Sequence, residues 1–279
     1  MARYGAQMTI KRTLKTLARI VRGSPVITLD YPINVTPRYG HGKPPHPELF
    51  EMVHRCRDDY VALLSEMNRL NPWLEAIPEN AVGSGPHWSN PHFTGADAAA
   101  LYALLVMHDP RRFIEVGSGN STRFARQAIR DHKLRTSITC IDPAPRADVT
   151  PIADRFVRQA LQDANLEVYS EVESGDVISL DGSHYAYQNS DTAVFFLEVL
   201  PRLPQNVLVH VHDIRIPNDY PTKIRDLWYG EQYVLAAWLL GRGQVKVAWC
   251  GAYAHDPDLA VQLPPAAKGR GGSSFWFWT

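Results

Sequence analysis

The sequence predicts an α/β protein: a doubly wound, mostly parallel seven-stranded sheet carrying a helical N-terminal extension. Three observations lead there. From Arg111 onward, short apolar runs alternate with helix-like segments, the rhythm of parallel strands joined by crossover helices. A turn with two glycines, GSGNST (117–122), separates an apolar run from a helix-like one in RFIEVGSGNSTRFARQAI (112–129). The first 95 residues show no such alternation and are broken by two stretches rich in proline and glycine.

In chain order, residues 1–29 hold six basic side chains and no acid, with Ile10, Leu14, Leu17 and Val21 at helical spacing. Residues 8–22 therefore read as a basic amphipathic helix. One reading is peripheral contact with a membrane surface or partner; the other, preferred, is a tail or a helix packed on its own domain. Residues 23–47 contain six prolines and form an extended linker. A helix is expected over 47–70, with Leu49, Met52, Val53, Cys56, Tyr60, Leu63 and Leu64 on one face. A second breaker-rich stretch runs to Gly95, and ADAAALYALLVM (96–107) reads as a helix.

Strands are expected at 112–116, 137–141, 156–160, 177–180, 207–212, 245–249 and 274–278. Helices are expected at 122–131, 147–153, 165–172, 191–200 and 228–240. The domains are thus an N-terminal extension, 1–95, and an α/β domain, 96–279.

Composition narrows the function classes. With 29 basic and 29 acidic side chains the net charge is zero, so the basic excess of a nucleic-acid binder is missing. Three cysteines, far apart and without CxxC spacing, argue against a disulfide framework or zinc site and fit a reducing cytoplasmic setting. No apolar run reaches the roughly 20 residues of a transmembrane helix. The oligomeric state is not legible.

The glycine turn carries the chemistry. Ligands of an open parallel sheet bind beyond the carboxyl ends of its strands. Gly117 and Gly119 let the backbone turn and approach a ligand closely, and the next helix aims free N–H groups at it. Dinucleotides and S-adenosylmethionine both use such a turn. A dinucleotide fingerprint asks for a small residue where Thr122 stands. Glu115, two residues before Gly117, favours a cationic ligand over a pyrophosphate, which points to S-adenosylmethionine. Asp142, 23 residues past Gly119, is placed to accept from both ribose hydroxyls of either cofactor.

From WSNPHFTGADAAALY through IEVGSGNST, DGSH, HVHDIRIPNDYP and the closing GGSSFWFW, the chain resembles class I S-adenosylmethionine-dependent methyltransferases over about two-thirds of its length. The resemblance implies a Rossmann-like sheet and a cofactor site made of Glu115, Gly117, Ser118, Gly119, Asn120 and Ser121 for the methionine moiety. It assigns Asp142 to the ribose and Asp163, in LQDAN, to the adenine amino group.

Asp181 and His184 follow the fourth strand, and His212 and Asp213 end the fifth. Adjacent strand ends would bring all four together as a catalytic group, with an imidazole as base and a carboxylate to orient it. Related catechol- and sugar-modifying enzymes hold magnesium at the matching places. The resemblance therefore also names Asp181, His212 and Asp213 as a metal set, with His212 favouring manganese over magnesium. His87, Trp88, Phe93 and the 228–233 segment, Glu231 included, are pocket candidates. The expected activity is O-methylation of a small-molecule acceptor. The competing readings are an NAD-dependent oxidoreductase and a non-catalytic cofactor-binding protein.

Overall fold

The computed structural model describes residues 35–279 apart from Gln244, and positions 14, 17–18 and 20–23 ahead of them. Most of the basic segment 8–22 lies outside the described residues. Residues 37–279 form one compact unit and residues 1–36 another. Among the described residues, no helix is long and apolar enough to cross a membrane.

The sheet has seven strands among the described residues: β1 (Arg112–Val116), β2 (Ser137–Ile141), β3 (Arg155–Val157), β4 (Val177–Leu180), β5 (Leu208–Val211), β6 (Val247–Cys250) and β7 (Phe275–Trp278). Their order is β3-β2-β1-β4-β5-β7-β6. The first five pair in parallel, and β7 runs antiparallel between β5 and β6. The order reverses between β1 and β4, which opens a crevice at their carboxyl ends. β4 and β5 are buried along their whole length. This is why they read as mostly apolar runs, with one polar residue each, rather than as an alternation.

Ahead of the sheet come α1 (Pro47–His54), α2 (Arg57–Arg69), α3 (Asn71–Glu75) and α4 (Ala96–His108). The single helix expected over 47–70 is broken at Arg55–Cys56. Its apolar face still enters the core, where Tyr60 meets Trp249 of β6 edge-on at 5.9 Å. The Ala-rich α4 is buried from Ala96 through Leu105 and packs against α5 (Asn120–His132), its small side chains allowing close approach.

Two expected helices are absent. Residues 147–153 and 165–172 supply only 3₁₀ turns, at Thr150–Ile152 and Leu166–Tyr169. Pro151 cannot continue a helical ladder, and the Asn165 side chain caps its turn by accepting from the Glu167 N–H. The helix expected over 191–200 begins as α6 (Asp191–Val194), widens into a π turn at Phe195–Val199 and tightens to 3₁₀ at Pro201. The last long helix is α7 (Glu231–Arg242).

Gly117 sits where β1 meets β4. Its φ is +79°, and a Cβ there would lie 1.9 Å from the Asp181 carbonyl oxygen. Gly119, with a φ of 165°, has nothing within 4 Å of its Cβ direction. Gly117→Ala should therefore destabilise the fold by more than ~1 kcal/mol, whereas Gly119→Ala should stay within about 0.5 kcal/mol. Denaturant unfolding of the two variants checks the contrast.

Candidate active site

A cavity of about 440 Å³ opens at the carboxyl ends of β1, β2 and β4. Val116, Gly117, Ser118, Gly119, Asn120 and Ser121 form one wall, Asp142 and Arg146 a second, and Asp181 and Tyr187 a third. Strand β2 is followed directly by Asp142, whose Oδ2 accepts from the Ser118 N–H at 2.7 Å and from its hydroxyl at 3.0 Å. The turn's shape is thus set by the acid that shares the cavity with it.

Glu115 has a different place from the one expected. It is fully buried and does not line the cavity. Its carboxylate accepts from Ser121 Oγ at 2.8 Å, from Thr122 Oγ1 and from Cys140 Sγ at 3.3 Å. Burial pushes its carboxyl up to about 7 against those hydrogen bonds. Glu115 is the anchor beneath the turn. Thr122 completes the anchor, since its hydroxyl also accepts from the Gly119 N–H at 3.0 Å.

Asp163 is likewise displaced. It is exposed and does not line the cavity, whereas the neighbouring Leu161 and Gln162 do. Gln162 Oε1 is buried without a hydrogen-bond partner. The 3₁₀ turn Leu161–Asp163 presents its first two residues to the cavity and turns the third away.

The four residues at the ends of β4 and β5 do converge. His212 Nδ1 stands 3.5 Å from Asp181 Oδ1 and 4.0 Å from Asp213 Oδ1. His184 Nε2 stands 3.7 Å from Asp181 Oδ1 and 3.6 Å from Asp213 Oδ2. Both His184 and Asp213 hold left-handed backbone, with φ of +66° and +55°. Such conformations concentrate where a site over-determines its residues.

Each imidazole has a carboxylate behind it. His212 Nε2 pairs with Asp97 Oδ2 at 3.1 Å, and His184 Nδ1 pairs with Glu231 Oε1. Asp97 was not legible as a site residue. It lies in the first turn of α4, 115 positions from His212, and no motif joins them. Burial opposes ionisation of Asp97, but His212 and the N–H groups of Ser273 and Ser274 hold its carboxyl below the ordinary range. Burial alone would lower His212, yet Asp181 and Asp97 hold it well above the ordinary imidazole range. His210, one turn of the pleat away, is instead lowered to about 3 by burial and by the charge on His212. It bridges the hydroxyls of Ser179 and Ser274 as a structural residue.

Among the described residues, no group of three or more His, Cys, Asp or Glu side chains is arranged to hold a metal ion. Asp181, His212 and Asp213, the set the resemblance named, stand with His184 in a ring where imidazoles alternate with carboxylates. Of the aromatic candidates, Phe93 lines the cavity and its ring lies 5.1 Å from that of His212. Trp88 is core, packed 5.2 Å from Phe124, and His87 does not line the cavity.

Residues 114–214, which hold the turn, Asp142, Asp181, His212 and Asp213, match a family model described as a methyltransferase domain. Comparison with curated proteins gave no match. Among solved structures, the chain is similar to the O-methyltransferase from Bacillus cereus in complex with SAH, at 13% identity and a TM-score of 0.41, over 78% of this chain and 90% of that one. It is also similar to the SAH-bound Podospora anserina methyltransferase PaMTH1 (14% identity, TM-score 0.39, 79% and 93% covered). A third is the O-methyltransferase TomG from Streptomyces achromogenes in complex with SAM (15%, 0.39, 77% and 88%). Over residues 114–214, then, the chain is similar to a methyltransferase domain.

Removing one partner of a buried ion pair leaves the other charge uncompensated. Asp97→Ala should therefore cost about 3–5 kcal/mol of stability at neutral pH, since His212 and two N–H groups lose their acceptor. Urea unfolding of the variant is the check, and a loss under ~1 kcal/mol would contradict the pairing.

Proposed function

We propose that this chain transfers a methyl group from S-adenosylmethionine to a hydroxyl oxygen of a small organic acceptor, with His212 as general base. The observation that carries this reading is His212, held between Asp97 and Asp181, the latter a lining residue of the cavity under the glycine turn. An amine can attack with its own lone pair, whereas a hydroxyl must lose its proton during attack. An anchored base is needed for the second kind of acceptor and not for the first.

The residues present fit the cofactor. Gly119 faces open space, and Gln162 offers a buried acceptor with no partner in the protein. Ser118, Gly119, Asn120 and Ser121 would hold the methionine moiety, Asp142 the ribose hydroxyls and Gln162 the adenine amino group. Bound there, S-adenosylmethionine supplies an electrophilic methyl group on a cationic sulfur. Four carboxylates (Asp97, Asp181, Asp213 and Glu231) face two imidazoles, so the site favours a cation. Asp181 orients His212, and His212 takes the acceptor's proton. Phe93 closes over His212 from the N-terminal side, which favours a small acceptor.

The oxidoreductase reading loses ground at the turn. Thr122 fills the place of a third small residue and is bonded to both Glu115 and the Gly119 N–H. A non-catalytic binder would have no use for two imidazoles backed by buried carboxylates.

The reading is tested by transfer of labelled methyl from S-adenosylmethionine into a panel of phenols and sugar-type alcohols. Asp142→Ala should weaken cofactor binding by about 1.5–3 kcal/mol and Gln162→Ala by about 0.5–1.5 kcal/mol, while Asp163→Ala leaves it unchanged. Calorimetric titration separates these outcomes. His212→Ala should cut turnover of a panel alcohol by about 10²–10⁴-fold with cofactor affinity intact. A base must be unprotonated, and His212 is held high by its carboxylates. Turnover should therefore rise with pH through a limb lying above the ordinary imidazole value of about 6.5. A limb at or below that value would count against His212.

A further inference from the structure

We propose that Glu231 is a positioning residue for the reaction, holding His184 so that its Nε2 faces the acceptor site as a second anchored imidazole. The inference rests on the methyl-transfer reading above and extends it to a residue outside the matched domain. Glu231 opens α7, 47 positions after His184, and is fully buried. Its Oε1 pairs with His184 Nδ1. The same helix start grips the histidine's backbone, since the Gly230 and Glu231 N–H groups donate to the His184 carbonyl at 2.8 and 3.4 Å. The His184 ring also lies 4.4 Å from Tyr229. Held this way in a left-handed conformation, His184 has one nitrogen left, and that nitrogen faces Asp181 and Asp213.

The next residue repeats the device on the other loop. Gln232 Oε1 accepts from the Arg215 N–H at 2.6 Å, and its amide donates to the Asn218 carbonyl at 3.0 Å. Two adjacent side chains at one helix start thus fix the loop after β4 and the loop after β5 relative to each other.

A buried carboxylate is a costly way to make a structural contact, because an amide or apolar group could fill the space without a desolvated charge. A carboxylate does what those cannot: it holds the Nδ1–H of His184 as a strong donor and so sets which nitrogen is left to meet the acceptor. The arrangement mirrors Asp97 behind His212, where a carboxylate in the first turn of α4 fixes the opposite nitrogen. His212 then takes the proton, while His184 braces the acceptor oxygen from the other side of the Asp181–Asp213 pair.

The test is ¹⁵N NMR of the imidazole nitrogens in the full chain with S-adenosylhomocysteine, which needs no acceptor, beside steady-state kinetics on a panel alcohol. The wild type should show His184 protonated and hydrogen-bonded at Nδ1. Glu231→Gln should lose that signature and lower kcat by roughly 10–10²-fold, less than loss of a proton-moving residue, with S-adenosylhomocysteine affinity unchanged and Glu231→Asp restoring part of it. An unchanged His184 signature and kcat in Glu231→Gln, with only the melting temperature reduced, would overturn the proposal. Should that variant fail to fold, a wild-type spectrum with Nδ1 unprotonated overturns it alone. Failure of every panel alcohol would count against the methyl-acceptor reading and leave the NMR result to decide the role of Glu231.

Discussion

Asp97 is a buried carboxylate whose two oxygens meet three elements at once. It accepts from the N–H groups of Ser273 and Ser274 ahead of β7 and pairs with His212 at the end of β5, from the first turn of α4. A charge taken out of water is tolerated only where its partners replace the lost hydration. The position of α4, the antiparallel return of β7 and the orientation of His212 are therefore set by one requirement. The orientation of the His212 imidazole is a product of how the core is neutralised.

The same logic runs through the rest of the site. Glu115 fixes the start of α5 from below, and Asp142 fixes the turn from the side. Gly117 lets β1 and β4 come close enough for their carboxyl ends to share a cavity. The carboxylates thus divide into those that build the walls and those that face inward. Asp181 and Asp213 are the inward pair, about a third exposed, while Asp97 and Glu231 stand behind the imidazoles.

Much of this was legible in the sequence, and its limits have physical causes. The parallel strands β1, β2 and β4 were placed at their observed bounds because buried strands bounded by turn residues leave a sharp signal. The convergence of Asp181, His184, His212 and Asp213 followed from strand order. Glu115 was misplaced because alternation tells which face of a strand a side chain takes and not which cavity lies there. Gln162 was passed over for Asp163 because a 3₁₀ turn has no periodicity long enough to read. The partners Asp97 and Glu231 lie 115 and 47 positions from their histidines, and only the tertiary fold brings them together.

The central claim is that the cavity under residues 117–121 holds S-adenosylmethionine with its sulfur turned toward Asp181 and His212. A crystal structure of the full chain with S-adenosylhomocysteine tests it most directly. The account predicts the ligand along the turn, its ribose hydroxyls on Asp142, its adenine amino group at Gln162 and its sulfur facing the Asp181–His212 pair. A ligand bound elsewhere, or in this cavity with its sulfur turned away from that pair, would contradict it.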